Sequence, residues 1–174
     1  MKKAIFLTIL LLASVSLFAQ NQKIGYVNTQ TVMEQYPAAI KAQSDLQALV
    51  TEWRTTLANM QKELQSIAQE YQKKESTMNE KALTDARNDL LRREQEIQQF
   101  NNQKFNTQNG ELVAKQAELM KPIEKKILEV VELVAKAEGM KFIVNKTDVN
   151  TFFLFADPEF DMTFKVIDKL KRGK

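Results

Sequence analysis

From Pro37 to Gly139 the chain carries only one internal glycine, Gly110, and one internal proline, Pro122. Glycine and proline are the strongest local interrupters of regular structure, so a stretch of this length with two of them reads as almost entirely helical. It is also too long and too polar for an ordinary globular helix. Segments of β character bracket it, residues 23–27 before it and 141–145 after it. A long arm inserted into a small sheet suggests a protein that reaches and holds, not one that encloses a catalytic pocket.

The residue types present narrow the chemistry further. The chain has no cysteine and no histidine. Disulfides, thiolate metal sites and cysteine nucleophiles are therefore impossible, and the commonest general base and transition-metal ligand is missing. Carboxylate chemistry remains, but an enzyme of that kind needs a pocket of paired acids. Glu94 and Glu96 are two positions apart and do not share a helix face. No phosphate-cradling glycine loop, zinc spacing or nucleophile elbow occurs. Asp157, Glu159 and Asp161 could hold a hard cation, yet the turn at Pro158 and the cap of a following helix account for all three. The expectation is no enzyme, no cofactor and no metal. Asn145-Lys146-Thr147 matches a glycosylation triplet, a match common by chance, at the end of an expected strand.

The N-terminus reads as an export signal. Met1, Lys2 and Lys3 are followed by an apolar run over residues 4–12, and residues 16–19 form a cleavage site near Ala19. The apolar run is short for a membrane-spanning helix. Residues 1–19 are therefore expected to be removed near Ala19, leaving the chain in an extracytoplasmic compartment, which the resemblance below makes the periplasm. The formal charge of +3 loses two units with Lys2 and Lys3, which does not fit a nucleic-acid binder.

In the mature chain, Asn28 or Thr29 can cap a short helix reaching Gln35, and Thr31 and Glu34 have capping-box spacing. Pro37 suits the first turn of the long helix. Leu46, Leu49, Trp53, Leu57, Met60, Leu64, Ile67, Tyr71 and Met78 follow at steps of three and four, the last step being seven. That is a coiled-coil stripe with a stutter near Trp53, and it needs a partner to bury it. The partner is expected to be the same chain returning. Residues 76–80 are turn-like, with Thr77 and Glu80 at capping-box spacing, and the tip is placed near 76–82. The returning arm shows a thinner stripe of Leu83, Ala86, Leu90, Ile97, Phe100, Phe105, Leu112 and Leu119. Residues 92–111 are mostly glutamine, asparagine and charge. Over residues 38–137 basic and acidic residues are equal in number.

Pro122 removes a backbone donor and should kink the helix near Glu118. Beyond it Ile123, Ile127, Leu128, Val130, Val131, Leu133 and Val134 form a dense apolar surface expected to pack on the sheet. Gly139 suits a helix end. Residues 141–145 then read as a strand, 148–150 as a turn and 151–155 as a third strand. Asp161 can cap a final helix over 162–170 with Phe164, Ile167 and Leu170 on its apolar side. Phe152, Phe153 and Phe155 would place aromatics on both faces of one strand, which calls for self-association to cover one of them.

The fold expected is α+β and mostly α, a long antiparallel coiled-coil hairpin inserted in a small β body that oligomerises. Residues 20–37 and 121–174 form the body and 38–120 the arm. Ile24, Tyr26, Ile143, Phe152, Phe153 and Phe155 are the candidate oligomerisation residues. Met60, Tyr71, Met78, Ile97, Phe100 and Phe105 are the candidate positions for contacting a held chain.

Several of these segments resemble the Skp/OmpH family of periplasmic chaperones. They are the signal segment, Lys23-Ile24-Gly25-Tyr26-Val27-Asn28, Tyr36-Pro37, Lys121-Pro122-Ile123 with the apolar helix to Gly139, Phe142-Ile143-Val144, and the closing run from Ala156 to Leu170. The resemblance implies a homotrimer whose strands join in a central β body. It also implies three helical tentacles that hold unfolded outer-membrane β-barrel proteins without ATP, with transient contact at a membrane surface. The neutral arms depart from the basic arms of the family's best-known members. A structural coiled-coil adaptor or spacer of the cell envelope is the competing reading.

Overall fold

The computed structural model of the protein describes residues 23–147 and 154–173. The expected signal segment, the turn at 148–150, Phe152 and Phe153 lie outside the described residues. Strand β1, Ile24–Val27, leads into helix α1, Thr29–Gln35. Asn28 supplies the start signal of α1, its Oδ1 accepting the Thr31 amide at 3.1 Å. Helix α2, Pro37–Lys74, has proline in its first turn and runs 38 residues, about 57 Å at helical rise. A 3₁₀ turn, Glu75–Thr77, leads to α3, Glu80–Phe105. Helix α4, Glu111–Glu138, ends at Gly139 with φ +68°, as a C-terminal glycine should. Strand β2, Phe142–Asn145, a 3₁₀ turn, Pro158–Phe160, and helix α5, Thr163–Arg172, complete the described elements.

The chain divides into two compact units, Glu34–Lys126 and the remainder, which joins the residues up to Met33 with those from Ile127 onward. In the first, α2 and α3 pack as an antiparallel hairpin. Every apolar position of the stripe read from the sequence, Leu46 to Tyr71 on α2, Met78 after the 3₁₀ turn and Leu83 to Phe105 on α3, is buried or half-buried. The helical period therefore located the seam correctly.

In the second unit β1 and β2 pair in parallel, Ile24 opposite Phe142 and Val27 opposite Asn145. The sheet among the described residues has two strands. Strand neighbours share a face, so Ile24, Tyr26, Phe142 and Val144 line one side and Gly25, Val27 and Ile143 the other. The second side is covered: a Cβ on Gly25 would lie 3.3 Å from Met162 and 3.4 Å from Met140. Val27, Val32, Ile127, Val130, Val134, Met162, Val166, Ile167 and Leu170 make the core. Helix α5 is fastened to β1 by polar contacts. The Met162 amide donates to the Tyr26 carbonyl at 2.8 Å, and buried Thr163 accepts the Asn28 amide through Oγ1 at 2.9 Å.

Several expectations are corrected. The tip cap is Asn79, whose Oδ1 accepts the Ala82 amide. Thr77 instead turns its hydroxyl back to the Lys74 carbonyl. The return from the tip is two helices, broken at residues 106–110, and α4 then passes through exposed Pro122 without ending. An outward-facing proline leaves its freed carbonyl open to water, which makes it tolerable. Leu154 and Phe155 are not in a strand and are exposed. Phe164 is exposed on α5, whose inner face is Val166, Ile167 and Leu170. Leu128 and Leu133, expected in the core, are exposed on the side of α4 away from the Ile127-Val130-Val134 row.

Candidate functional site

The hairpin is held along its length by different kinds of contact. Near the tip, the Arg87 Nε donates to the Tyr71 hydroxyl at 2.8 Å, and Tyr71 donates to Glu75 Oε1 at 2.8 Å. Arg87 also reaches Glu75 at 3.2 Å. The Tyr71 hydrogen bond, then Arg87, holds the Glu75 carboxyl below the usual carboxylate range. Further along, Arg93 bridges Glu63 on α2 at 2.7 Å while also binding Asp89 at 2.9 Å. These groups are largely exposed, so each adds little alone and is weakened by salt.

At the α3–α4 turn the contacts become denser. Trp53, 8% exposed, meets Phe105 edge-on with ring centroids 6.0 Å apart. Lys104 Nζ lies 4.9 Å from the Trp53 ring centre and 5.8 Å from that of Phe100. The same ammonium pairs with Glu111 Oε2 at 2.5 Å, and Gln103 donates to Glu111 Oε1 at 2.8 Å. Lys104 is thereby the foremost cause of a lowered Glu111 pKa. Asn106 Oδ1 accepts the amides of Gln108 and Asn109, a side-chain turn. Gly110 then comes so close to Asn106 that a Cβ would sit 2.5 Å from its carbonyl oxygen. The signal for this turn was present as Asn109-Gly110, a strong turn dipeptide.

Of the candidate contact positions, Met60, Tyr71, Met78, Ile97, Phe100 and Phe105 are all half-buried along the α2 and α3 surfaces. Tyr71 and Phe105 are engaged within the hairpin by the contacts above. Of the candidate oligomerisation residues, Ile24, Tyr26 and Phe155 line one cleft together with Val144 and Phe160. Ile143 lies on the opposite face of the sheet. Lys146 Nζ sits 4.9 Å from the Tyr26 ring centre, and burial, then the Asp161 and Asp157 charges, raises the Tyr26 pKa. Sequence reasoning did not find Leu128, Leu133 and Phe142 as exposed apolar positions of this unit.

Asp157 caps the 3₁₀ turn by accepting the Glu159 amide, and Asp161 accepts the Thr163 amide at the entry to α5, whose N-cap is Met162. Asn145 Oδ1 accepts from both the amide and the hydroxyl of Thr29. Among the described residues no group of acidic side chains is arranged to hold a metal ion, and no helix is long and apolar enough to cross a membrane.

The described residues thus form a helical hairpin in one unit and a small parallel-stranded α/β arrangement in the other. The chain belongs to the OmpH-like outer membrane protein family, whose model matches residues 23–170. This is a chaperone family and not a family of enzymes. The fold is similar to the crystal structure of a candidate outer membrane chaperone (OmpH-like) from Caulobacter crescentus CB15. The TM-score is 0.75 at 13% identity, covering 87% of this chain and 85% of that one. None of the curated proteins compared matches the chain.

Proposed function

We propose that this protein is a periplasmic, ATP-independent holdase that binds unfolded outer-membrane β-barrel proteins and prevents their aggregation. The observation that carries the reading is the hairpin of α2 and α3 itself. Its apolar stripe is half-buried rather than sealed, and polar residues flank it, in a chain of the OmpH-like family. Met60, Met78, Ile97 and Phe100 offer scattered apolar contact, with Tyr71 and Phe105 adding ring edges. Many weak contacts on one arm sum to useful avidity while each remains reversible.

The working form in this reading is a homotrimer assembled through the strand-bearing unit. Ile24 and Phe142 on the sheet and Phe155 beside it are uncovered apolar side chains, and Leu128 and Leu133 are separately exposed on α4. Exposed side chains of this kind on a small unit call for a partner. Export by cleavage near Ala19 would place the mature chain where unfolded barrel proteins pass.

The test is aggregation. Mature protein, residues 20–174, is mixed without nucleotide with an outer-membrane barrel protein diluted from urea, and light scattering is followed. The proposal expects scattering to be suppressed near stoichiometric ratios. Undiminished scattering at stoichiometric excess rejects it.

A further inference from the structure

The stretch that the hairpin seam leaves unexplained is the polar end of α3. Gln95, Gln98, Gln99, Asn102, Gln103 and Asn106 recur at helical spacing, so they form one stripe along a single face. With Asn109 and Glu111 they line one open recess at the α3–α4 turn, within the Glu34–Lys126 unit. Two of the six are committed to structure, Gln103 to Glu111 and Asn106 to the turn amides. The amides of Gln95, Gln98, Gln99 and Asn102 have no hydrogen-bond partner among the described residues.

We propose that this amide stripe is a binding site for the backbone of an extended polypeptide, gripping the held chain by its peptide groups and not by its sequence. This rests on the holdase reading and specifies its substrate chemistry. A primary amide presents one acceptor and two donors, the complement of the carbonyl and N–H that every non-proline residue carries. Successive turns of α3 offer such groups about every 5.4 Å. An extended chain repeats its backbone groups on one edge about every 6.7 Å, a mismatch that long glutamine side chains absorb. Glu111, the one charged residue of the recess, is already paired with Lys104, so the surface offers an approaching chain little net charge. An arm with balanced charge cannot draw in clients electrostatically, and a neutral donor–acceptor surface holds a chain of either sign.

The stripe also explains why residues 92–111 are so poor in apolar side chains without being a linker. Each amide exchanges a water hydrogen bond for a peptide one, so single contacts are weak and several together give a reversible hold. Glu111 of the recess is joined through Lys104 to the Trp53 ring.

The experiment compares wild-type mature protein with a variant carrying Gln95→Ala, Gln98→Ala, Gln99→Ala and Asn102→Ala. Alanine raises helix propensity at exposed positions, and Gln103 and Asn106 are kept because they build the turn. Binding of a fluorescently labelled, urea-diluted barrel protein is read by anisotropy, and circular dichroism confirms the fold. The expected result is affinity about tenfold weaker in the variant, with wild-type affinity nearly unchanged between about 50 mM and about 500 mM salt. A folded variant that binds as tightly as wild type overturns the stripe while leaving the holdase reading intact. Wild-type affinity that collapses with salt overturns it too, since the hold is then ionic. A wild type that binds no unfolded client removes both.

Discussion

Lys104 and Glu111 stand on either side of a helix break and close it with an ion pair of 2.5 Å. Lys104 is mostly covered, its side chain 18% exposed, and its ammonium lies over the Trp53 and Phe100 rings. The pair fixes where α4 departs from α3, and it holds the Glu111 carboxyl below the usual glutamate range. A group with a depressed folded pKa contributes stability above its unfolded pKa and loses it as pH falls through the folded one. The turn should therefore be firm at neutral pH and loosen only in acid. Glu111→Gln should lower the thermal midpoint at neutral pH, and the gap between variant and wild type should narrow as the carboxyl is protonated in acid. Melting curves followed by circular dichroism at neutral and acid pH check this, and a gap that persists in acid counts against the ion pair.

Gly110 cannot be replaced without moving backbone. A Cβ there would lie 2.5 Å from the Asn106 carbonyl oxygen and 2.6 Å from its amide nitrogen. Gly110→Ala should cost about 1–3 kcal/mol by overpacking, read as a lower urea midpoint. Alanine's better helix propensity would predict the opposite sign, so equal or greater stability would show that the turn is not closed as described.

The start of α3 depends on Asn79 and not on Thr77. Asn79→Ala should destabilise by about 1 kcal/mol, because the Ala82 amide loses its acceptor. Thr77→Val removes only a back-bond to the Lys74 carbonyl and should have the smaller effect. Urea titrations of the two variants decide between the two caps.

Trp53 is the one tryptophan of the chain and is buried against Phe105. Trp53→Ala should cost about 3 kcal/mol, at the low end for a buried aromatic because the arm can partly collapse around it. Its fluorescence in the wild type should shift to the red on unfolding of the arm. A midpoint for Trp53→Ala within error of wild type would show that the cluster does not hold the hairpin.

How much of this was legible depended on the length of the pattern. The α2 stripe from Leu46 to Tyr71 repeats over many turns, so the helical period identified both the arm and its buried side. The strands at Ile24 and Phe142 were legible from β-rich composition, and Gly139 from its place after the last apolar turn. The α3–α4 break was not found, because glutamine and asparagine continue a helix almost as well as they end one. Asn109-Gly110 was the only cue. Helix α4 continues past Pro122, which lies exposed on its surface. Leu128 and Leu133 were read as core because a helix apolar on two sides does not reveal which side its own chain covers. The candidate contact positions all lie half-buried along the hairpin. That Tyr71 and Phe105 are engaged inside it follows from partners 16 positions away, for Arg87, and farther still for Trp53, a distance no local pattern encodes.

The most direct measurement is equilibrium binding of mature protein to one labelled outer-membrane barrel protein in two states, unfolded from urea and folded in detergent, without nucleotide. The holdase account predicts tight binding of the unfolded chain and binding of the folded barrel weaker by at least about a hundredfold, since a folded barrel keeps its backbone and apolar segments occupied. Equal or tighter binding to the folded barrel would contradict the account and favour a spacer that docks on folded partners.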